Sequence, residues 1–221
     1  MTMVDSGKGK RLGMVIDLAR CIGCQTCAIA CKSENNEPLG LIWNRIETVG
    51  GASIDTPEGQ YPDLTMHHLP ITCQHCENAV CVKVCPVAAT YKRPEDGVVL
   101  VDWDLCIGCR YCMAACPYGV RTFNWAEPQQ FPNFQVGNPD VPVRPRGVVE
   151  KCTFCVHRID KGLDPACMIH CPARARFWGD LNDPKSKVSR LIVERGGYQL
   201  LPDVGTDPSC YYLPQRRKGL S

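Results

Sequence analysis

The 17 cysteines dominate the possible chemistry of this chain, because sixteen of them fall into four groups of four. Groups one and three share the spacing C-x2-C-x2-C-x3-C, whereas group two reads C-x2-C-x4-C-x3-C and group four reads C-x2-C-x11-C-x3-C. In chain order the groups are Cys21, Cys24, Cys27 and Cys31; Cys73, Cys76, Cys81 and Cys85; Cys106, Cys109, Cys112 and Cys116; and Cys152, Cys155, Cys167 and Cys171. A tight loop with three thiolates can bind three irons of one cubane cluster and turn backbone N–H groups toward its sulfides. The spacing therefore predicts [4Fe-4S] clusters.

The last cysteine of each group stands on the next helical turn and points away from the cluster that its neighbours bind. In two-cluster ferredoxins this cysteine ligates the other cluster, and a proline commonly follows it. Groups two, three and four have that proline, at Pro86, Pro117 and Pro172, whereas group one has Lys32. Because Lys32 affects the turn and not the ligation, we expect sixteen thiolates for four clusters.

Other uses of these residues remain open from spacing alone. Group four, taken by itself, resembles a zinc site built from cysteine pairs. Disulfides fit poorly, since three thiols in so short a loop cannot pair efficiently and 17 is an odd number. Cys210 belongs to no group and is predicted to be a buried or idle thiol. His75 and His170 lie beside grouped cysteines, and we expect them to support a site or face solvent, because four thiolates already complete each cluster.

An internal repeat indicates how the chain positions groups one and three. The apolar residues 13–17 lead into group one and residues 98–102 lead into group three, with an aspartate four residues before the first cysteine in both copies. Both stretches are predicted to be short strands of the same supersecondary unit. Gly23 and Gly108 occupy equivalent places in the two cysteine loops and suit a turn without a Cβ atom.

Regular secondary structure is expected to be a minority of the chain, because ligation to clusters replaces much of the core. Short helical turns are predicted at residues 28–33, 78–83, 113–115 and 187–194. Turn-forming residues predict loops at 50–62 and 128–145. The aromatic residues near the cysteine loops are expected to pack over the clusters and exclude water; they are Trp103, Tyr111, Tyr118 and Trp125.

Composition and charge give little further direction. A hydrophobic share of 44%, a charged share of 22% and a net charge of +2 are ordinary for a globular protein. Arg216-Arg217-Lys218 is predicted to be a solvated tail and not a nucleic-acid patch, since longer runs of like charge are the usual signal. Residues 1–12 have neither an apolar segment nor a twin-arginine motif, and no run of about 18 apolar residues occurs. We therefore expect no export signal and no direct membrane span.

Several motifs are specific in combination: Cys116-Pro117-Tyr118-Gly119, Cys152-Thr153-Phe154-Cys155, His157-Arg158, Lys161-Gly162 and Pro165-Ala166-Cys167. With all sixteen grouped cysteines in order, from about residue 13 to residue 187, they make the chain resemble a known family. It is the four-cluster, ferredoxin-like subunit of respiratory molybdenum or tungsten oxidoreductases, such as dimethyl sulfoxide, polysulfide, tetrathionate and arsenate reductases. The resemblance implies a loop-rich α+β fold of two nested bacterial-ferredoxin-like 2[4Fe-4S] modules. Residues 61–144 would form the second module, and residues 1–60 with 145–221 the first module and a C-terminal extension.

The resemblance also implies which cysteines share a cluster, and we number four sites accordingly. Site 1 comprises Cys21, Cys24, Cys27 and Cys171; site 2 comprises Cys31, Cys152, Cys155 and Cys167; site 3 comprises Cys85, Cys106, Cys109 and Cys112; and site 4 comprises Cys73, Cys76, Cys81 and Cys116. Some membrane-bound nitrate reductases lack the cysteine equivalent to Cys109 and hold a [3Fe-4S] centre. Because Cys109 is present here, four [4Fe-4S] clusters are expected.

The function implied by the resemblance is electron transfer in anaerobic respiration. The expected partners are a large molybdenum or tungsten bis-pterin catalytic subunit and a quinone-linked membrane anchor or a soluble redox protein. Relatives further imply that site 1 faces the catalytic subunit and site 4 the membrane partner. Membrane association is then expected through partners, on the periplasmic face after co-export with the catalytic subunit or on the cytoplasmic face.

The chain itself is expected to catalyse no reaction. It has no nucleophile elbow, phosphate loop or H-E-x-x-H motif, and clusters with four thiolates leave no open iron for a substrate. Two alternatives remain open, a freely diffusing polyferredoxin and an iron-sulfur subunit of a hydrogenase or formate dehydrogenase. Residues 190–221 ligate nothing and exceed what a shuttle needs, which favours a subunit with fixed partners. Neither the substrate of the complex nor the direction of electron flow is encoded in the spacing.

Overall fold

The structure is a computed structural model that describes residues 9–51, 53–129 and 137–215. The basic run Arg216-Arg217-Lys218, the start of the N-terminal segment and the middle of the 128–145 stretch lie outside the described residues. Within the described ranges, no helix has the length and apolar character needed to cross a membrane.

Helices are short, and none in the described ranges exceeds nine residues. They are α1 Thr26–Glu34, α2 Val80–Lys83, α3 Tyr111–Ala114, α4 Val156–Ile159, α5 Ala166–Ile169 and α6 Lys187–Arg195, with a 3-10 turn at Pro202–Val204. The helical turns predicted at 28–33, 113–115 and 187–194 fall on α1, α3 and α6, while the turn predicted at 78–83 begins later, at Val80. Ser186 caps α6 by accepting the Ser189 N–H at 3.2 Å.

Strands are equally short, with six residues at most in the described ranges. They are β1 Leu12–Asp17, β2 Arg45–Val49, β3 Glu58–Gln60, β4 Asp63–Thr65, β5 His67–Ile71, β6 Thr90–Lys92, β7 Val99–Val101, β8 Thr122–Phe123, β9 Val149–Glu150, β10 Arg176–Asp180 and β11 Cys210–Leu213. The two strands predicted before groups one and three are confirmed as β1 and β7. The loop predicted at 50–62 is wrong at its end, where β3 pairs with β4 in an exposed hairpin.

A three-stranded sheet brings group one to group four. Its central strand, β1, is buried along its whole length and precedes group one. It pairs antiparallel with β10, which follows group four, so that Ile16 stands opposite Arg176. It also pairs parallel with β11 near the end of the chain. Helix α1, which carries Cys27 and Cys31 of group one, contacts α5, which carries Cys167.

A second, smaller unit brings group two to group three. Strand β6 follows group two, β7 precedes group three, and the two strands pair antiparallel. Helices α2 and α3 of the two cysteine groups are in contact. The sequence repeat thus corresponds to a structural repeat, in which a strand ladder brings the cysteine loops together.

Two further ladders connect these units, because β2 pairs with β5 and β8 pairs with β9. Near the second ladder, the fully buried Arg144 donates to Glu150 Oε2 at 2.9 Å and lies 4.8 Å from the Trp43 ring centroid. The Trp43 indole donates to the same Glu150 oxygen at 3.0 Å. Removing either charge would leave the other buried and unpaired, at a cost of about 3–5 kcal/mol.

Candidate iron-sulfur centres

The aspartates of the sequence repeat shape the entry into both cysteine loops. Asp17 Oδ1 accepts the N–H of Ala19 at 3.1 Å. Asp102 Oδ1 accepts the N–H groups of Asp104 and Leu105 at 3.0 and 3.2 Å. A short side chain that accepts from backbone two residues on stabilises a turn, so the same device starts both loops.

The glycines of the two loops are required by conformation and by space. Gly23 has φ +70° and Gly108 has φ +68°, in the region that a residue with a Cβ rarely adopts. A Cβ at Gly23 would lie 2.6 Å from the His68 ring, and one at Gly108 would lie 2.2 Å from the Gly147 carbonyl oxygen. The interpretation of both glycines as turn residues is confirmed.

The four cysteines assigned to site 1 line one small cavity. Cys21, Cys24 and Cys27 come from the group-one loop, and Cys171 comes from group four, far along the chain. The rest of the wall is mostly apolar, and the Arg176 side chain is its one cation. Burial raises the pKa of the Cys21 thiol, and the nearby Cys27 and Cys171 sulfurs raise it further.

The four cysteines assigned to site 2 also lie together. Burial raises the pKa of the Cys31 thiol well above its usual value, and Glu37, Cys152, Cys155 and Cys167 add to the shift. The Asn35 amide points at this group, 3.5 Å from Cys31 Sγ and 3.9 Å from Cys155 Sγ. Site 2 is therefore a buried thiol set with its own polar donor.

The other three cysteines of site 4 lie around Cys76. Burial raises the Cys76 pKa to about 12, with contributions from Cys73, Cys81 and Cys116. His75, between two of these cysteines in sequence, is 2% exposed and accepts the Val99 N–H on Nδ1 at 3.1 Å. Its Nε2 has no hydrogen-bond partner among the described residues and lies near the sulfurs of Cys73 and Cys152.

Site 3, like site 1, has one exposed cysteine and one buried cysteine. Cys106 and Cys112 approach each other beside Phe123, while Cys109 is exposed. Cys85 follows α2, which contacts α3, and its Sγ accepts the Thr90 N–H at 3.4 Å. The residues around Cys109 thus form a solvent-facing end of the structure.

The residues present fit iron-sulfur clusters by the chemistry of their donors. Each set offers thiols, and backbone N–H groups point at sulfur from Phe154 to Cys152 and from Ala175 to Cys171, both at 3.3 Å. The Nε2 atom of His75 and a guanidinium nitrogen of Arg121 are buried donors without a protein partner among the described residues, and both lie beside cysteine sulfur. A cluster sulfide would satisfy such donors. Across the described ranges, no three His, Cys, Asp or Glu side chains are grouped as ligands of a single metal ion.

The spatial order of the sites corrects the order inferred from the sequence. Cys27 of site 1 lies near Cys167 of site 2. Cys152 of site 2 belongs to the same apolar cluster as Cys73 of site 4, together with Ile71.

Site 3 completes the series, because Cys112 lies near Cys81 of site 4. The order in space is therefore 1, 2, 4, 3. Site 4 is internal, and the expectation that it forms the far end is wrong.

The four aromatic residues near the cysteine loops differ in their burial. Tyr118 is buried and shares a hydrogen bond of 2.6 Å with Thr206. Trp103 is partly buried, whereas Tyr111 and Trp125 are each 64% exposed, so the expectation that these two exclude water is wrong. Trp125 instead stacks on Arg110, whose guanidinium carbon lies 4.6 Å from the ring centroid.

Cys210 and His170 differ in burial. Cys210 is 2% exposed, and burial raises its pKa to about 12, which confirms the buried thiol. His170 is exposed beside α1. Sequence reasoning missed the buried cations Arg121, Lys151 and Arg176 next to cysteines. A signal was available, since each arginine is the fifth residue after the last cysteine of its group.

Comparisons with known proteins extend beyond the cysteines. Residues 64–131 and 105–175 match models of the 4Fe-4S dicluster domain. The chain is 58% identical over 207 residues to a Halobacterium salinarum protein named as a dimethyl sulfoxide reductase iron-sulfur subunit, covering 91% of this chain and 78% of the relative. It is 43% identical to the arsenate respiratory reductase iron-sulfur subunit of Shewanella sp., over 92% of this chain and 96% of the relative. The chain belongs to this family of iron-sulfur subunits of reductase complexes.

Another member of the family is the iron-sulfur cluster-binding subunit of a menaquinone reductase from Nitratidesulfovibrio vulgaris, 42% identical over 92% of this chain and 89% of the relative. As a member of this family, the chain carries two ferredoxin-like dicluster domains with short helices and strands and binds [4Fe-4S] clusters. Its function is electron transfer, and catalysis lies in a separate subunit. The family inferred from the cysteine order and the short motifs is thereby confirmed.

Proposed function

We propose that this chain holds four [4Fe-4S] clusters, one in each of sites 1 to 4, and conducts electrons along the order 1, 2, 4, 3. The observation that carries the proposal is the convergence of cysteines from distant groups, above all Cys171 with the group-one triad in one cavity. A bound [4Fe-4S] cluster supplies reversible one-electron transfer at a potential set by charge, hydrogen bonds and exposure.

The nested arrangement of modules is part of this proposal. Residues 1–60 with 145–221 would form the outer module around sites 1 and 2, and residues 61–144 the inner module around sites 3 and 4. The β1–β10 ladder supports the outer module, and the β6–β7 ladder supports the inner one. The β2–β5 ladder and the apolar cluster of Cys73 and Cys152 join them, so only one transfer crosses between modules.

The protein's own residues prepare the sites for this role. Backbone N–H groups and the Asn35 amide donate to thiol sulfur, and apolar residues pack around Cys73 and Cys152 of the inner sites. These contacts stabilise negative charge on sulfur. At the two ends of the series the protein opens, since Cys24 and Cys109 are exposed.

The family and the two exposed ends of the series, at sites 1 and 3, indicate the partners of this chain. The names of the relatives include dimethyl sulfoxide, arsenate and tetrathionate reductases, and one relative is a menaquinone reductase subunit. For this chain we infer a large molybdenum or tungsten bis-pterin catalytic subunit at the site 1 end. A quinone-linked membrane anchor would lie at the site 3 end, on either face of the membrane.

Two exposed isoleucines occupy equivalent positions of the sequence repeat, one near each end of the series of sites. They allow a test of which end faces the catalytic subunit and which faces the membrane anchor. Ile22 beside site 1 is 62% exposed, and Ile107 beside site 3 is 64% exposed. In the complete complex, Ile107→Glu should slow quinol-linked turnover about tenfold, the effect of losing about 1.4 kcal/mol of docking energy. Turnover driven by a dye that donates at the catalytic subunit should be unchanged.

Ile22→Glu is the control for position, because it makes the same change in the other copy of the repeat. It should weaken copurification of the large subunit and reduce turnover from quinol. If Ile107→Glu released the large subunit while Ile22→Glu impaired only the exchange of electrons with quinol, the polarity would be reversed. If the chain purified alone from native membranes with no change in either variant, the free polyferredoxin would be the better description.

A further inference from the structure

Three buried cations lie between neighbouring sites in the order 1, 2, 4, 3. They are Arg176, Lys151 and Arg121, which are 6%, 1% and 5% exposed. None of them takes part in the ion pairs formed by the described residues. Buried charges are normally paired with opposite charges, so their position beside thiols needs a physical reason.

Arg176 lies at the junction of sites 1 and 2. It belongs to β10 and lines the cavity of Cys21, Cys24, Cys27 and Cys171. Its Nη2 donates to Asn44 Oδ1 at 2.9 Å. Burial opposes its charge, but Cys27 in site 1 and Cys167 in site 2, with smaller contributions from Cys210 and Tyr212, raise the Arg176 pKa.

Arg121 lies at the junction of sites 4 and 3. Its Nη1 donates to Thr90 Oγ1 at 3.3 Å, and its Nη2 has no partner among the described residues. Burial again opposes the charge, but Cys81 of site 4 and Cys112 of site 3 raise the Arg121 pKa. The unpartnered nitrogen is therefore available to a group held between those cysteines.

Lys151 lies at the junction of sites 2 and 4, between the modules. Its Nζ donates to the Cys152 carbonyl at 2.9 Å and also to the Val99 carbonyl. Cys73 of site 4 lies near both His75 and Lys151. The ammonium thus lies beside the first cysteine of both groups that meet here.

The two arginines are equivalent within the repeated architecture. Arg121 is the fifth residue after Cys116, and Arg176 is the fifth residue after Cys171. Each lies between the two sites of its own module. Other arginines with low exposure are paired, as Arg144 is with Glu150 and Arg93 with Asp96 and Asp160.

We propose that Arg176 and Arg121 are electrostatic bridges, each stabilising the reduced state of both clusters in its module, with Lys151 in the same position between the modules. Reduction adds one negative charge to a cluster, and an uncompensated cation in a poorly polarisable interior attracts that charge strongly. A guanidinium cannot deprotonate in a protein, so its charge is fixed. The cation also reduces repulsion between electrons on neighbouring clusters. This inference rests on the proposed function.

The test is a redox titration of the purified complex, followed by electron paramagnetic resonance of each cluster. Arg176→Gln should lower the potentials of the clusters at sites 1 and 2 and leave those at sites 4 and 3 unchanged. Arg121→Gln should lower the potentials of the clusters at sites 4 and 3 and leave those at sites 1 and 2 unchanged. The expected shift is at least a tenfold change in the ratio of reduced to oxidised cluster, which is about 59 mV for one electron.

Matched variants separate charge from structure. Arg176→Lys keeps a positive charge and should restore most of the lost potential. Asn44→Asp places a carboxylate on the 2.9 Å contact, so it should lower the same two potentials while the guanidinium stays in place. This variant serves even if Arg176→Gln fails to assemble. Arg93→Gln, at an arginine already paired with carboxylates, should shift none of the four potentials.

The inference is overturned if all four clusters are present and Asn44→Asp and Arg176→Gln leave the potentials of sites 1 and 2 in place. It is also overturned if Arg176→Lys and Arg176→Gln give equal shifts, since the charge would then be irrelevant. Fewer than four clusters in the unmodified complex would instead contradict the proposed function. The iron and sulfide content, measured before the titration, distinguishes the two failures.

Discussion

Removing the iron from the native protein is expected to abolish its cooperative thermal unfolding. The cysteines are part of the core itself, since Cys27 and Cys167 belong to the largest apolar cluster and Cys73 and Cys152 to the second. No described helix exceeds nine residues, so little regular structure remains to replace the ligated loops. Because ligation is absent in the unfolded chain, the binding free energy of the clusters contributes directly to folding. Calorimetry and circular dichroism before and after chelation under anaerobic conditions measure the loss.

Reconstitution is the control for this experiment. Adding iron and sulfide back to reduced apoprotein should restore the transition, whereas oxidative damage to thiols would not be reversed. The sheet region around Val15, Val188 and Leu213 has no cysteine in its apolar cluster and is the part best able to retain structure. Apoprotein that kept one cooperative transition at the holoprotein's temperature would show that the clusters are not required for folding.

Cys171→Ser is expected to alter the cluster held by the group-one loop, although Cys171 belongs to group four. The physical reason is the shared cavity, in which the Cys171 side chain meets Cys21, Cys24 and Cys27. The clusters at sites 3 and 4 should keep their spectra, because their cysteines lie in the other unit. Iron content should fall by at most about one cluster's share, or about a quarter of the total.

The control is Cys210→Ser, which makes the same change at a cysteine that is more buried and belongs to the core but to no site. It should leave the spectra of all four clusters unchanged. If Cys171→Ser instead removed only the cluster of Cys152 and Cys155, group four would be a self-contained site and the crossed ligand sets would be refuted.

The sequence was most informative where the chemistry is local. The spacing of a cysteine triad, the aspartate before it and the glycine inside it act within one loop, so Asp17 and Gly23 could be interpreted without a structure. Strand β1 was predictable because its apolar run is buried along its whole length. The family followed from the order of the cysteines and a few short motifs, and relatives at 58% and 43% identity bear it out.

The order of the sites was not predictable from spacing, because it depends on contacts between distant segments. Ile71 of β5 packs Cys73 against Cys152, and nothing in groups two or three encodes which of them turns inward. The burial of the two arginines likewise depends on contacts between distant segments. The place of Arg176 five residues after Cys171 marks it in the sequence, but its burial in a short strand depends on its three-dimensional neighbours.

The exposure of two aromatic residues was not predictable from the sequence either. Tyr111 and Trp125 are close to the group-three loop in sequence, yet the loop faces solvent at the end of the series, and their rings remain open. Proximity in sequence therefore gave the location of these residues but not their degree of burial.

The central claim, that four cubane clusters occupy four cysteine sets, is tested most directly by the iron and acid-labile sulfide content of protein prepared without oxygen. Complete occupancy predicts about sixteen iron and about sixteen sulfide per chain, with no zinc. A stable preparation with about eight iron, or with zinc in place of one cluster, would contradict the account.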